Sequence, residues 1–265
     1  MSLKKFIDRG DLEKIKQMLD VDSALTTTLI KWGSLLCPCK TEPLHYLSDG
    51  PFNQLWNHGK QAQIARLLLE AGAPVDGLPE SGESPLHGAV SLGELSVAEV
   101  LIDFGANMEK RASYPGIPDG TPLDFAVHFG MVDIIDLLVA KGANIHSSRM
   151  AAGAGLLDLL KEKLKPEEMM DVFRCACVCD RIEIVEYLLN DGVDVKVDIN
   201  GASALHWAAW EAKPNMVQFL VDQGADRNSR DKKHQMTPTE WAAHRGKEIG
   251  SKWGHDEVIK CLASS

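Results

Sequence analysis

A pattern that returns about every 33 residues constrains this chain of 265 residues more than any other feature of its sequence. Each copy begins with Thr/Ser-Pro-Leu-His or a close variant, continues through a pair of small residues, and ends with an apolar stretch followed by Gly-Ala or a close variant. The starts lie at 42–47, 84–90, 121–127, 203–209 and 237–243, and the endings at 68–76, 101–108, 138–145, 188–195 and 220–227. Such a period indicates stacked repeats rather than one globular core.

The spacing of the glycines at the ends of the copies reveals one irregular region. Three of their intervals are 33, 37 and 32 residues, but Gly142 and Gly192 are 50 residues apart. This interval contains two shortened units, 149–164 and 172–189. We therefore expect 146–190 to form two helix pairs with almost no finger between them.

The residues at fixed places in each copy predict two helices per unit. Ser84 and Thr121 stand where a first helix begins, and their hydroxyls can accept a hydrogen bond from a free backbone N–H. A proline follows each of them at the first helical position, where a missing N–H does no harm. Gly105 and Gly224 follow the second helices, where a left-handed backbone is needed. Leu205 and its equivalents are expected to point into the stack.

The period and the Thr-Pro-Leu-His start resemble the ankyrin repeat, and the resemblance covers nearly the whole chain. It implies an all-α solenoid of stacked antiparallel helix pairs with short hairpin fingers. It also implies a protein-protein interaction module or scaffold, without an enzymatic activity or a cofactor, that binds a protein partner through the concave groove and the fingers. The Trp-Ala-Ala-His stretch at 241–244 is similar to free-standing ankyrin arrays of bacteria.

We expect a single domain over 1–265. Its predicted parts are N-terminal capping helices at 1–24, a connector at 25–40, repeats at 41–234 with an insertion at 48–63, and a C-terminal capping repeat at 235–265.

Three segments depart from the repeat pattern. The repeat core does not constrain their residues, so these residues are available for a function. Segment 48–63 and segment 247–257 are each expected to separate the two helices of one unit. Segment 107–120 is a lengthened finger that carries Tyr114. Segment 29–40 shows no clear repeat identity.

The net charge indicates which kinds of partner the chain can bind, and the cysteine pattern indicates the compartment in which it acts. Lys and Arg number 28 and Asp and Glu number 38, so the formal net charge is −10. This charge disfavours nucleic acid and anionic membranes and favours a partner with a basic patch. The chain has no apolar run of membrane-spanning length and no signal-peptide pattern, and its six cysteines have no framework spacing. We expect a cytoplasmic monomer, with signal-independent export left open.

Seven residues are the predicted protein-binding site, because they occupy places that the repeat core does not require. Six lie at the ends of first helices, on the expected concave face, and Tyr114 lies at its rim. Trp210 is expected either to anchor a partner or to stack on the adjacent unit, and Glu211 is expected to be a surface residue. The predicted residues are Tyr114, His128, Phe129, Trp210, Glu211, His244 and Arg245.

The alternative is an enzyme or metal-binding protein with a site built on 48–63 or 247–257. Cys37 and Cys39, with His45 and His58 nearby in sequence, could hold zinc, although one residue between the cysteines is fewer than common zinc sites have. The chain contains no common catalytic signature. The histidines of the repeat starts are expected to bond neighbouring turns, and the cysteines at 175, 177 and 179 are expected to pack.

Overall fold

The computed structural model describes residues 2–33, 38–79, 82–249 and 254–263. These residues form two compact units. Unit 1 is Met1–Phe125 with Ala140–Ala143, and unit 2 is Ala126–Val139 with Asn144–Ser265.

Unit 1 consists of short helices and two β-hairpins. In chain order its elements are α1 (Leu3–Ile7), α2 (Leu12–Val21), a 3-10 turn (Ser23–Thr26), β1 (Ile30–Gly33), β2 (Pro38–Thr41), α3 (Pro43–Phe52), α4 (Gln61–Glu70), α5 (Pro85–Ser91), α6 (Leu95–Asp103), β3 (Ala112–Tyr114) and β4 (Ile117–Gly120). First helix α3 packs on first helix α5, and second helix α4 packs on α2 and α6.

Helix α7 (Pro122–His128) leads from unit 1 into unit 2. The further elements are α8 (Val132–Ala140), α9 (Ser148–Gly153), α10 (Leu157–Lys163), a 3-10 turn (Pro166–Glu168), α11 (Met169–Val178), α12 (Ile182–Asn190), β5 (Asp198–Ile199), β6 (Ala202–Ser203), α13 (Ala204–Trp210), α14 (Pro214–Asp222), α15 (Pro238–Ile249) and α16 (His255–Ala263). First helices α9, α11, α13 and α15 pack in a row, and second helix α14 packs on α16.

The helix ends follow from the residues that stand there. The Ser84 side chain accepts from the His87 N–H at the start of α5, with Pro85 next to it. Gly105 has φ +84° directly after α6, a conformation that only glycine adopts without strain. Leu205 is 0% exposed, as expected for a residue inside the stack. The all-α repeat fold is confirmed.

The shortened units at 146–190 have the expected form. Helices α9 and α10 make one pair and α11 and α12 the next, with a 3-10 turn between them and no strand within these residues. This region shows that a unit of the array can form without its finger.

Three segments differ in detail from the sequence-based expectation. In segment 29–40, the expected connector without repeat identity, β1 and β2 pair as an antiparallel hairpin in which Ile30 lies opposite Thr41. Segments 48–63 and 247–257 were each expected to separate two helices, but helix enters both of them from each side. Helix α3 extends to Phe52 and α4 begins at Gln61, and α15 extends to Ile249 and α16 begins at His255, so the separation is shorter than expected.

Candidate protein-binding surface

Residues on the first helices of unit 2, with Phe129 and Glu211 directly after α7 and α13, form one surface, here called the first-helix surface. Its members contact one another from helix to helix, or carry charges that act on one another. They are His128, Phe129, Arg149, Asp171, Arg174, Trp207, Trp210, Glu211, Trp241, His244 and Arg245.

Three tryptophans form the centre of the first-helix surface. The Trp241 ring meets the Trp207 ring at a centroid distance of 5.4 Å and the Trp210 ring at 5.5 Å, both in edge-to-face geometry. The Trp210 ring also lies 6.2 Å from His244. All three tryptophans stay partly exposed. Trp210 therefore stacks on Trp241 of the adjacent unit and remains partly exposed, and its role as an anchor for a partner stays a prediction.

Two arginines lie on this aromatic cluster. The Arg245 guanidinium is 5.0 Å from the Trp210 ring centroid, and the Arg174 guanidinium is 5.4 Å from that of Trp207. The contacts are cation–π pairs, which hold the planar guanidinium groups against the rings. In its repeat, Arg174 stands at the position that histidine occupies in Thr-Pro-Leu-His.

Asp171 holds the arginines of two neighbouring first helices. Its Oδ1 accepts from Arg174 Nη2 at 3.2 Å, and its Oδ2 lies 3.0 Å from Arg149 Nε. The Arg174 side chain is only 9% exposed, but the Asp171 side chain is 39% exposed, so solvent reaches the carboxylate and screens this ion pair. Such a pair fixes the positions of the groups more than it adds stability.

Glu211 is not the surface residue that the sequence indicated. It caps the C-terminal end of α13 and is half-buried. Burial raises the pKa of its carboxyl to about 7, although the charges of Lys213, Arg245 and Arg174 act in the opposite direction. Near neutral pH the carboxyl is therefore partly protonated.

His128 lies at the end of α7 and packs edge-to-face on Phe129, with ring centroids 5.0 Å apart. Burial is the largest cause that lowers the pKa of His128 to about 4, and the charges of Arg174 and Arg149 act in the same direction. The imidazole is neutral near pH 7, and the arginines make its surroundings positive. Phe129 is half-buried.

His244 and Arg245 both face Glu248 on α15. His244 Nε2 lies 3.3 Å from Glu248 Oε1, and Arg245 Nη1 donates to Glu248 Oε2 at 3.3 Å. Six of the seven predicted site residues thus belong to unit 2. The seventh, Tyr114, is an exposed residue of β3 in unit 1, with its ring 6.2 Å from that of Phe125.

Asp231 supports the aromatic cluster and was missed by the sequence reasoning. Its Oδ1 accepts from the backbone N–H groups of Lys233 and His234, and its Oδ2 accepts from Met236 N–H and from Trp241 Nε1 at 3.1 Å. Burial opposes its ionisation, but these hydrogen bonds outweigh burial and lower the pKa of Asp231 to about 2. The carboxylate thereby ties the last finger to the central tryptophan.

The histidines of the repeat starts bond neighbouring turns, as predicted. His45 Nε2 donates to Glu83 O at 3.2 Å, His87 Nε2 to Gly120 O at 3.4 Å, and His206 Nε2 to Met236 O at 3.0 Å. Each histidine thus joins one unit to the next finger.

The residues proposed for metal or redox chemistry have other contacts where the structure describes them. His58 stacks on Trp56 at 4.4 Å and donates to Ile7 O at 2.7 Å. Within the described ranges, no group of three or more His, Cys, Asp or Glu side chains could hold a metal ion. Cys37 and most of the gap between α15 and α16 lie outside the described residues. The cysteines at 175, 177 and 179 are buried, and burial raises their thiol pKa values.

Comparison with known proteins identifies the family. The family described as "Ankyrin repeats (3 copies)" matches residues 56–149 and 148–231, which is more than half of the chain. The chain belongs to the ankyrin-repeat family, whose repeats are protein-interaction modules.

Relatives differ widely in what surrounds their repeats. The chain is 27% identical to the Caenorhabditis elegans "Ankyrin repeat and KH domain-containing protein mask-1" over 64% of its length. It is 30% identical to the "Palmitoyltransferase AKR1" of Lachancea kluyveri over 62% of its length. It spans only 7% and 20% of these two relatives. The crystal structure of the human ASB11 ankyrin repeat domain aligns with a TM-score of 0.46 and 19% identity, over 100% of this chain and 99% of that chain.

In the part of the chain that the structure describes, no helix has both the length and the apolar character needed to cross a bilayer. The similarity to bacterial free-standing arrays stays a prediction.

Proposed function

We propose that this chain is a protein-interaction module that binds a segment of a partner protein on the first-helix surface of unit 2. One observation carries the proposal: partly exposed Trp210 lies in a cluster of aromatic rings, with Arg245 stacked on it, at places that the repeat core does not use. Tryptophan and arginine are the residue types that most often dominate binding energy at protein interfaces.

The predicted site residues have distinct roles in this proposal. Trp210 is the anchor, and Arg245 and His244 line one side of it. Phe129 and His128 extend the surface along α7 with an apolar ring and a neutral imidazole. Glu211 lies beside the arginines. Tyr114 is a separate contact on the finger of unit 1.

The test compares two aromatic truncations in unit 2. A pull-down with the full chain, read by mass spectrometry, supplies the partner. Trp210→Ala should weaken its binding tenfold or more while the chain stays folded, because truncating a central anchor typically loses about 2 kcal/mol or more. Tyr187→Ala is the matched control, since Tyr187 is a half-buried aromatic on second helix α12, away from the first-helix surface.

Binding and melting temperature are measured on the same samples. Unchanged affinity of a folded Trp210→Ala variant would remove the proposed surface. A loss of affinity only in proportion to unfolded protein would assign Trp210 a stacking role alone.

We also infer a monomer that acts without a metal in a reducing compartment. The described cysteines at 39, 175, 177, 179 and 261 are free thiols, which suits such a compartment. Light scattering tests the monomer. Elemental analysis of the purified chain tests the metal-binding alternative at Cys37 and Cys39, and a stoichiometric metal would favour that alternative.

A further inference from the structure

The two arginine–tryptophan pairs of the first-helix surface present donors with fixed directions. A guanidinium is planar, and contact with a ring restricts its movement, so its edges can bind a planar carboxylate with two parallel hydrogen bonds. Arg174 uses its edge on Asp171, where Nε and Nη2 both donate to Oδ1, at 3.3 and 3.2 Å.

Arg245 has weaker partners of its own. Nη1 donates to Glu248 at 3.3 Å, and the Glu248 side chain is 46% exposed. The Nε atom of Arg245 is buried and has no hydrogen-bond partner in the described part of the chain. Because this Nε is shielded from solvent, a partner's acceptor reaches it only if the Arg245 side chain moves, and the new hydrogen bond would then recover the free energy lost by the unsatisfied donor.

The charges around Arg245 favour an anion. Burial keeps the Glu211 carboxyl partly neutral near pH 7, so it offsets little of the charge of Arg245 and Arg174. At the other end of the surface, Arg174 and Arg149 lower the pKa of His128. The cations of this region, which are Arg149, Arg174, Arg245 and Lys213, outnumber the paired carboxylates of Asp171 and Glu248, so positive charge is in local excess although the whole chain carries a net charge of −10.

We propose that the first-helix surface binds an acidic segment of the partner protein, with a carboxylate on the edge of Arg245 and an apolar neighbour of that carboxylate against Trp210. This inference rests on the proposed function. It replaces, for this surface, the basic partner expected from net charge, because side chains within a few ångströms determine contact chemistry more than distant charges screened by salt do.

The test selects peptides without knowing the partner. A random peptide library displayed on phage is selected on the immobilised full chain, and the most enriched peptide is synthesised and titrated by fluorescence anisotropy. We expect enriched sequences with Asp or Glu next to an aromatic or aliphatic residue. We expect Arg245→Gln to weaken binding at least tenfold, and Arg245→Lys to weaken it several-fold because the charge stays but the planar edge is lost.

Lys161→Gln is the matched control. Lys161 lies 5.3 Å from the ring of Tyr187 and forms a cation–π pair on the second helices of unit 2. Its removal should change affinity less than twofold. Circular dichroism melts confirm that each variant is folded at the temperature of the titration.

The outcomes separate this inference from the proposed function. A selection without enrichment of acidic sequences overturns the acidic segment, as does binding that survives Arg245→Gln. If enriched basic peptides lose affinity on Trp210→Ala, the surface is right and the charge of its partner is wrong. If acidic peptides bind a folded Trp210→Ala variant at full strength, the proposed surface itself is wrong.

Discussion

Glu211 and Asp231 are two carboxyls of unit 2 on which the surroundings act in opposite directions. Glu211 is half-buried and desolvation is the largest influence on its carboxyl, so its pKa rises to about 7. Asp231 is 1% exposed but accepts four N–H groups, so hydrogen bonds dominate and its pKa falls to about 2. Hydrogen bonding, rather than depth of burial, separates the two groups.

Glu211→Gln should stabilise the chain above neutral pH. The folded pKa of about 7 lies above the ordinary value of 4.5, so stability falls as pH rises from 4.5 to 7, a range in which the unfolded state has lost the proton that the folded state still holds. Urea denaturation should show a gain on the order of 1–3 kcal/mol at pH 8 and little gain at pH 5. Exposed Glu186→Gln in the same unit should show no such pH dependence. Equal effects at both pH values would contradict the desolvation of Glu211.

Asp231→Asn should destabilise unit 2, because an amide cannot accept from four N–H groups as a carboxylate does. We expect a loss on the order of 2 kcal/mol near pH 7, from hydrogen bonds to a charged group. The lowered pKa means that the advantage of Asp231 is present above its ordinary value of 3.8 and is lost as pH falls towards 2.

Chemical denaturation at pH 7 and pH 3 measures this loss. Exposed Asp191→Asn serves as the control and should stay within about 0.5 kcal/mol of the parent. A stable Asp231→Asn variant with unchanged tryptophan fluorescence would show that Asp231 does not hold Trp241 in place.

At the scale of elements, unit 2 depends on contacts between neighbouring first helices. Helix α13 packs between α11 and α15, and its small residues Ala208 and Ala209 are 0% exposed. Small side chains let the helix backbones approach closely, so a lost side chain in this layer leaves a cavity rather than a loosened surface. The repeat start predicted this layer correctly, because its leucine and alanines have one place in every unit.

Leu205→Ala should lower the free energy of unfolding by about 2–5 kcal/mol, because Leu205 is 0% exposed within that layer. Urea denaturation measures the change. Glu186→Ala is the exposed comparison in the same unit and should change stability by less than about 0.5 kcal/mol. Similar losses for both variants would refute the division between core and surface.

At the scale of the whole molecule, repeats stabilise one another mainly through nearest neighbours, so a local defect should have a local effect. Hydrogen exchange of the Leu205→Ala variant should therefore accelerate most in α11, α13 and α15, and the backbone of α2 and α4 should keep its protection. Uniform acceleration of hydrogen exchange along the whole chain would show instead that all repeats unfold as one cooperative unit. Such cooperative unfolding would support the single domain over 1–265, which stays a prediction.

Most of the repeat architecture was predictable because its determinants are local. Ser84 caps a helix through a residue three places away, and Gly105 ends one through its own φ of +84°. The hairpin of β1 and β2 was not predictable, since segment 29–40 lacks the residues that mark the other fingers. The bounds of α15 were missed because segment 247–257 was expected to separate two helices, yet the helix continues to Ile249.

The sequence by itself determined the family, the helix starts and the six first-helix positions of the candidate site, because each follows from residues within one unit. Only the tertiary structure determined the contacts, the burial and the protonation of the side chains at those positions. Arg245 lies on Trp210, which is 35 positions earlier in the sequence, and the charges of Arg174 and Arg245 that oppose the raised pKa of Glu211 come from neighbouring units. Burial and electrostatic fields depend on the side chains that surround a group in space, and in a stack of repeats those come mainly from adjacent units.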